Sequence, residues 1–175
     1  MSRPSVAEER AVAQAASAKR RAAERQRLAE RFGDTTPGWW MVVASWVAAA
    51  AVTLTGLAGI AFGGSAEIVA FVVSIGLFGA GLVAAMAGFV VAAGRSRRDR
   101  LDLGSLALLT GIAPPRVRRH LFGALALQVV GGLVPAIATQ GLELDFGTLV
   151  PMVGIGLIFW WGAAYGDFPP LGDAP

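Results

Sequence analysis

Four apolar blocks, at residues 41–62, 67–93, 121–139 and 148–165, constrain this chain more than any other feature. Each is near the ~20 residues a helix needs to cross the roughly 30 Å hydrocarbon core of a bilayer. Backbone polar groups in lipid must be satisfied within the segment, which leaves the helix as the form each block takes. A mean hydropathy of +0.60 and a hydrophobic share of 55% exceed what an ordinary soluble domain carries. The pattern predicts an all-α integral membrane protein: four transmembrane helices in two antiparallel hairpins (residues 39–165), preceded by a cytoplasmic basic helix and linker (1–38).

Orientation is written in the loop at 94–120. It holds Arg95, Arg97, Arg98, Arg100, Arg116, Arg118 and Arg119 against only Asp99 and Asp102. Arginines beside span ends are retained on the cytoplasmic side during insertion. The N-terminal segment is also basic, whereas the opposite turns carry Glu67 and, further on, Glu143 and Asp145. The net charge of +3 therefore conceals a one-sided distribution. A multi-pass protein of the cell membrane follows, with both termini cytoplasmic and these seven arginines on anionic lipid headgroups, at about 1 kcal/mol each. Fourteen arginines against one lysine, with abundant Ala, Gly and Val, point to a GC-rich bacterial genome.

The first segment is too polar for a signal peptide. Ser5 and Glu8 have capping-box spacing and Gly33 follows Phe32 as a C-terminal cap, so residues 6–32 read as one helix of about 40 Å. Ala11, Ala15, Ala18, Ala22 and Ala29 form a stripe that ends at Phe32 and is interrupted by Arg25. It is either a docking face or, as alanine's small area favours, a solvated face stitched by pairs such as Arg20 and Glu24. Asp34 to Gly38 breaks the helix. Trp39 and Trp40, with Trp160, Trp161 and Tyr165 at the other end of the membrane region, then form an aromatic interface belt.

Small residues mark the expected helix-packing faces. Gly76, Ala80, Ala84, Gly88 and Ala92 recur every four residues in the second block, and Ala124, Gln128, Gly132 and Ala136 do so in the third. Such stripes let helix backbones approach closely where lipid removes the hydrophobic drive to associate. Gln128, the strongly polar side chain deep in a span, reads best as an interhelical hydrogen-bonding residue. Pro135 frees the Gly131 carbonyl and predicts a bend near Gly131–Gly132. Glu67 sits where a helix N-terminus favours an anion, and Pro151 falls in a first turn, where its missing amide costs little. The tail at 166–175, rich in proline and glycine, is expected to be disordered. VSIGLF at 73–78 and VGIGLI at 153–158 match at an offset of 80, the outline of a repeat of two hairpins.

The reactive inventory is sparse. There is no cysteine and one histidine, His120. Thiolate chemistry, bis-histidine haem and multi-histidine metal sites are excluded. No carboxylate lies deep in a block, as a proton-coupled exporter would need. No catalytic, cofactor or metal residues are expected. The run SLALLTGIAPPRVRRHL has helix-turn-helix spacing at Leu106, Ala107, Gly111 and Val117, but its second helix would run straight into the third block. A surface hairpin with Leu101, Leu103, Leu106, Leu109 and Ile112 on lipid or on the bundle fits better.

The leading expectation is a non-enzymatic accessory or scaffold subunit of a membrane complex, whose partners are the anionic bilayer and another membrane protein or further copies of itself. The alternative is a small oligomeric transporter or channel with Gln128, the Pro135 bend, Thr53 and Thr55 along the path. The third is a membrane-tethered nucleic-acid binder, the least favoured of the three.

Overall fold

The computed structural model describes residues 6–138 and 151–171. Over these residues the protein is all-helical: α1 (Val6–Phe32), α2 (Trp39–Phe62), α3 (Ser65–Arg95), the short α4 (Leu103–Leu108), α5 (Pro115–Ala138) and α6 (Pro151–Tyr165). Two of them, α2 with 24 residues and α3 with 31, are long and apolar enough to cross a membrane. The turn expected at 140–146 and the start of the fourth block lie outside the described residues, as does Ser5.

Local chemistry explains the boundaries. Gly63 and Gly64, at φ 60° and 53°, join α2 to α3 in a backbone region that costs side-chain-bearing residues about 1–2 kcal/mol each. Gly33, at φ 51°, closes α1 with its amide on the Ala29 carbonyl. Proline favours a first helical turn, and α5 starts at Pro115, ahead of its apolar block. Val117 and Leu121, four residues apart, are both buried and hold this early turn against the bundle.

Four helices form a ring in which α2 touches α3, α3 touches α6, α6 touches α5 and α5 returns to α2. The α3–α6 and α2–α5 seams are the most extensive. Along the first, Gly81 meets Met152 and Val153, Gly88 meets Phe159 and Trp160, and Arg95 reaches Ala163 and Gly166, so the helices run parallel. Along the second, Trp46 lies on Gly123, Ser45 bonds Gln128, and Gly56 faces Pro135, again in parallel. Helices related by the 80-residue offset are thus neighbours. Their environments differ, however: Gly76 faces open space while Gly156 is packed against Gly81 and Ala84.

The connection between α3 and α5 folds onto the end of this ring. Asp102 caps α4, accepting from the Ser105 amide at 2.7 Å and its hydroxyl at 2.9 Å. Leu106, Leu109, Ile112 and Ala113 are buried, with Leu106 and Leu109 lying against Gly162 of α6. Leu109 has φ 52° and is fully buried; enclosing its side chain, worth about 1.5–3 kcal/mol, offsets the left-handed backbone. Leu103, by contrast, is exposed.

One expectation needs correction here. Residues 166–171 of the tail are not disordered: the Asp167 amide bonds the Ile112 carbonyl, Arg100 N bonds the Pro169 carbonyl, Leu171 N bonds the Arg98 carbonyl, and Phe168 is buried. Backbone pairing with the central loop, invisible to hydrophobic periodicity, supplies the order; residues 172–175 lie outside the described residues. The five alanines of the α1 stripe are exposed, in keeping with the solvated face that alanine's small area favours. Leu28 and Phe32, larger and one turn apart, are the buried residues, with the Phe32 ring 6.3 Å from that of Trp161.

Candidate functional site

The buried polar centre of the bundle is Gln128 on α5. It is 0% exposed, as is Ser45 on α2. Gln128 Nε2 donates to the Ser45 carbonyl at 3.0 Å and lies 3.4 Å from its hydroxyl, while Oε1 accepts from the Gly154 amide at 3.0 Å. Both ends of the amide are therefore engaged, on two different helices. Thr53 and Thr55, expected beside Gln128 in the transport alternative, turn back on their own helix, to the Ala49 and Ala51 carbonyls. Such back-bonding satisfies a hydroxyl in apolar surroundings without a partner helix.

Around this centre the helices approach through small residues. Of the second-block stripe, Ala84, Gly88 and Ala92 are buried along α6, whereas Gly76 and Ala80 are exposed. Gly81, missed by the four-residue spacing, belongs to the seam: a Cβ there would lie 2.5 Å from Met152 C and Val153 N. The contact face drifts because a 3.6-residue helix presents positions three and four apart. In the third block Ala124, Gln128 and Gly132 are buried. Gly131 and Pro135 join them, pressed against Thr53 and Gly56. The side chain of Ala136 lies outside the described residues. The glycine pair, one member of which lies on the expected packing stripe, followed by proline was the signal for the extra contact.

The seven loop arginines do not act alike. Arg97, Arg98, Arg100, Arg116, Arg118 and Arg119 are exposed. Arg95 turns inward instead: Nε pairs with Asp99 at 2.9 Å, Nη1 donates to the Ala163 carbonyl at 2.9 Å, Nη2 donates to the Gly166 carbonyl at 3.0 Å, and its guanidinium lies 5.4 Å from the Phe168 ring centre. It caps the C-terminal carbonyls of α6, a place where a cation is doubly favoured, and so departs from the headgroup role expected of it. Spacing from the span end cannot tell an arginine that points out from one that folds back.

The aromatic belt divides similarly. Trp39 and Trp40 are exposed, Trp160 is half-buried and meets Trp40 edge-on at 5.3 Å, and Tyr165 is half-buried over Gly38. Trp161 is fully enclosed: its indole N–H donates to the Pro37 carbonyl at 2.8 Å and its ring packs with Phe32 and Tyr165. It is a core anchor joining the linker to α6 rather than an interface residue.

A polar latch holds α1 at the same end. Arg27 Nε lies 2.9 Å from Asp167 Oδ2, an ion pair outside hydrogen-bond alignment, and its Nη2 donates to the Gly111 and Asp167 carbonyls at 3.1 and 3.3 Å. Arg31 stands 3.9 Å from the other oxygen of Asp167. Glu67, in the first turn of α3, packs beside Gly59 and Gly63. Among the described residues no group of three or more His, Asp or Glu side chains is arranged to hold a metal ion. No protein-family profile matches the chain, and neither the curated proteins nor the solved structures yield a match.

Proposed function

We propose that this chain is a non-enzymatic integral membrane protein that acts as an accessory or scaffold subunit of a larger assembly. In this reading α2, α3, α5 and α6 are four spans, the arginine-bearing end is cytoplasmic, and both termini lie there. The observation that carries it is the outer surface of α3: only 11% of its most apolar window is buried within the chain. Val72, Val83, Met86, Phe89 and Val90 all face outward. In water that surface is an aggregation hazard; in a bilayer it is solvated or meets a partner helix. The third and fourth spans are supported by the absence of Asp, Glu, Lys and Arg from residues 121–138 and 151–166. Trp39, Trp40 and six exposed arginines at one end support the orientation.

Two measurements test the reading. The chain has no cysteine, so single cysteines at Gly64, Arg97 and Asp173 report sidedness directly in intact cells. Position 64 should label from outside and the other two only after permeabilisation. Affinity purification from native membrane in mild detergent, followed by mass spectrometry and sizing, should return a stoichiometric membrane-protein companion. A homogeneous homo-oligomer without companions would displace the accessory role in favour of transport.

A further inference from the structure

At the arginine-bearing end, between the linker and the first turns of α2 and α5, lies an open cleft of about 260 Å3 lined by Asp34, Thr36, Trp39, Arg116 and His120. It is smaller than the roughly 300–1,000 Å3 of pockets for drug-sized ligands, so it admits a headgroup-sized occupant. Its lining is chemically mixed: a carboxylate, a hydroxyl, an indole, a guanidinium and an imidazole. Within the described residues, neither the Asp34 carboxylate nor the Arg116 guanidinium has an ion-pair or hydrogen-bond partner. Two opposite charges thus line one small space without a side-chain partner among the described residues.

His120 is held in place by stacking. Its ring lies edge-on to Trp39 at 5.4 Å and to Trp46 at 6.4 Å. Trp46 in turn rests on Gly123, closing the α2–α5 seam below the cleft. Past it the surface becomes apolar, with Val43, Val47 and Val130 exposed. A polar cleft thus opens directly onto an outward apolar flank.

We propose that this cleft binds the headgroup of a zwitterionic phospholipid carrying a primary ammonium, phosphatidylethanolamine by chemistry. Arg116 and His120 take the phosphodiester, as guanidinium and imidazole donors do for phosphate oxygens. Asp34 takes the ammonium, with the exposed indole of Trp39 beside it as a cation-binding ring. The acyl chains lie along Val43, Val47 and Val130. An anionic headgroup would meet Arg116 equally well but would also face the Asp34 carboxylate, so the pair selects for a balanced charge. This inference rests on the membrane reading above.

The test uses the full-length chain in detergent, read by native mass spectrometry against short-chain phosphatidylethanolamine and phosphatidylglycerol. The wild-type protein should retain phosphatidylethanolamine in preference. Arg116→Ala should lower that retention about tenfold, the equivalent of one charge-assisted contact. Asp34→Asn should abolish the preference, lowering phosphatidylethanolamine retention and raising that of phosphatidylglycerol, and Arg119→Ala, also exposed on α5 but outside the cleft, should do neither. Glycerophosphoethanolamine competing on the unmutated chain gives a readout independent of variant folding, and it should displace the lipid. Equal displacement by inorganic phosphate would make this a site for soluble phosphate and overturn the proposal, as would retention unaffected by Arg116→Ala or equal binding of both lipids. Sidedness is read in cells and binding in detergent, so each reading fails separately from the other.

Discussion

Gln128 Oε1 accepts from the Gly154 amide at 3.0 Å, while the same side chain donates to the Ser45 carbonyl, so a single residue on α5 joins α6 to α2. Removing it leaves a buried amide and a buried carbonyl without this partner. Gln128→Leu should therefore destabilise the bundle by about 1–3 kcal/mol, the cost of unsatisfied buried groups, at the lower end if lipid-phase pairing sets the scale. Thermal unfolding in detergent measures it. An unchanged midpoint would mean that the tie contributes nothing net.

Glycines on the α3–α6 seam differ from those beside it. A Cβ at Gly156 would overlap the Gly81 carbonyl, and one at Gly81 would strike backbone of α6. Gly81→Val and Gly156→Val should each cost at least the roughly 1–3 kcal/mol typical of overpacking and reduce the yield of monodisperse protein. Gly76→Val and Gly79→Val, where the added atoms meet open space, should leave thermal stability within about 0.5 kcal/mol of wild type. Should those two instead abolish recovery of a companion subunit, they would mark its docking face.

Arg95 and Arg97 provide a matched pair. Arg95→Ala removes two hydrogen bonds to carbonyls at the end of α6 together with the Asp99 pair, and charged hydrogen bonds of this kind are worth about 1.5–3 kcal/mol each before solvent exposure reduces them. Its melting midpoint should fall by several degrees. Arg97→Ala, at an exposed side chain, should not move it. Limited proteolysis at 166–171 is the second readout, because only the first variant removes a side-chain tie to the start of the tail.

The Asp102 carboxyl is held below its ordinary value of 3.8, first by the Ser105 amide and then by the Ser105 hydroxyl; desolvation opposes them, and the Gly104 amide adds the smallest contribution. A depressed carboxylate stabilises the fold above its unfolded pKa and loses that contribution as pH falls through the folded value. The α4 cap should thus be unaffected between pH 7 and 5 and weaken only below about 3.9. A carboxyl-carbon NMR titration should place the Asp102 midpoint below 3.8. A midpoint at or above that value would contradict the capping geometry.

Periodicity and charge made the helices legible: α1 over Val6–Phe32 and the hairpin glycines at 63 and 64 stand where spacing put them. Seam membership was only partly legible. The four-residue spacing picks out Ala84, Gly88 and Ala92 correctly, but which part of a long stripe is covered depends on how far the neighbouring helix extends, and that is a tertiary fact. Arg95 and Trp161 show the same limit. Each has the composition and position of an interface residue, yet the carbonyls of Ala163 and Pro37 draw them inward. The ordered tail rests on backbone-to-backbone bonds with residues far away in sequence, and no side-chain pattern encodes those.

The latch between Arg27 and Asp167 spans 140 positions of sequence. At synthesis rates of about 5–20 residues per second, α1 emerges roughly 7–30 seconds before the carboxylate that holds it exists. During that interval Leu28 and Phe32 have no site, since Trp161 is also still to be made. Seating of the first helix therefore waits for α6 and the residues that follow it, and its protection from protease reports that both are in place.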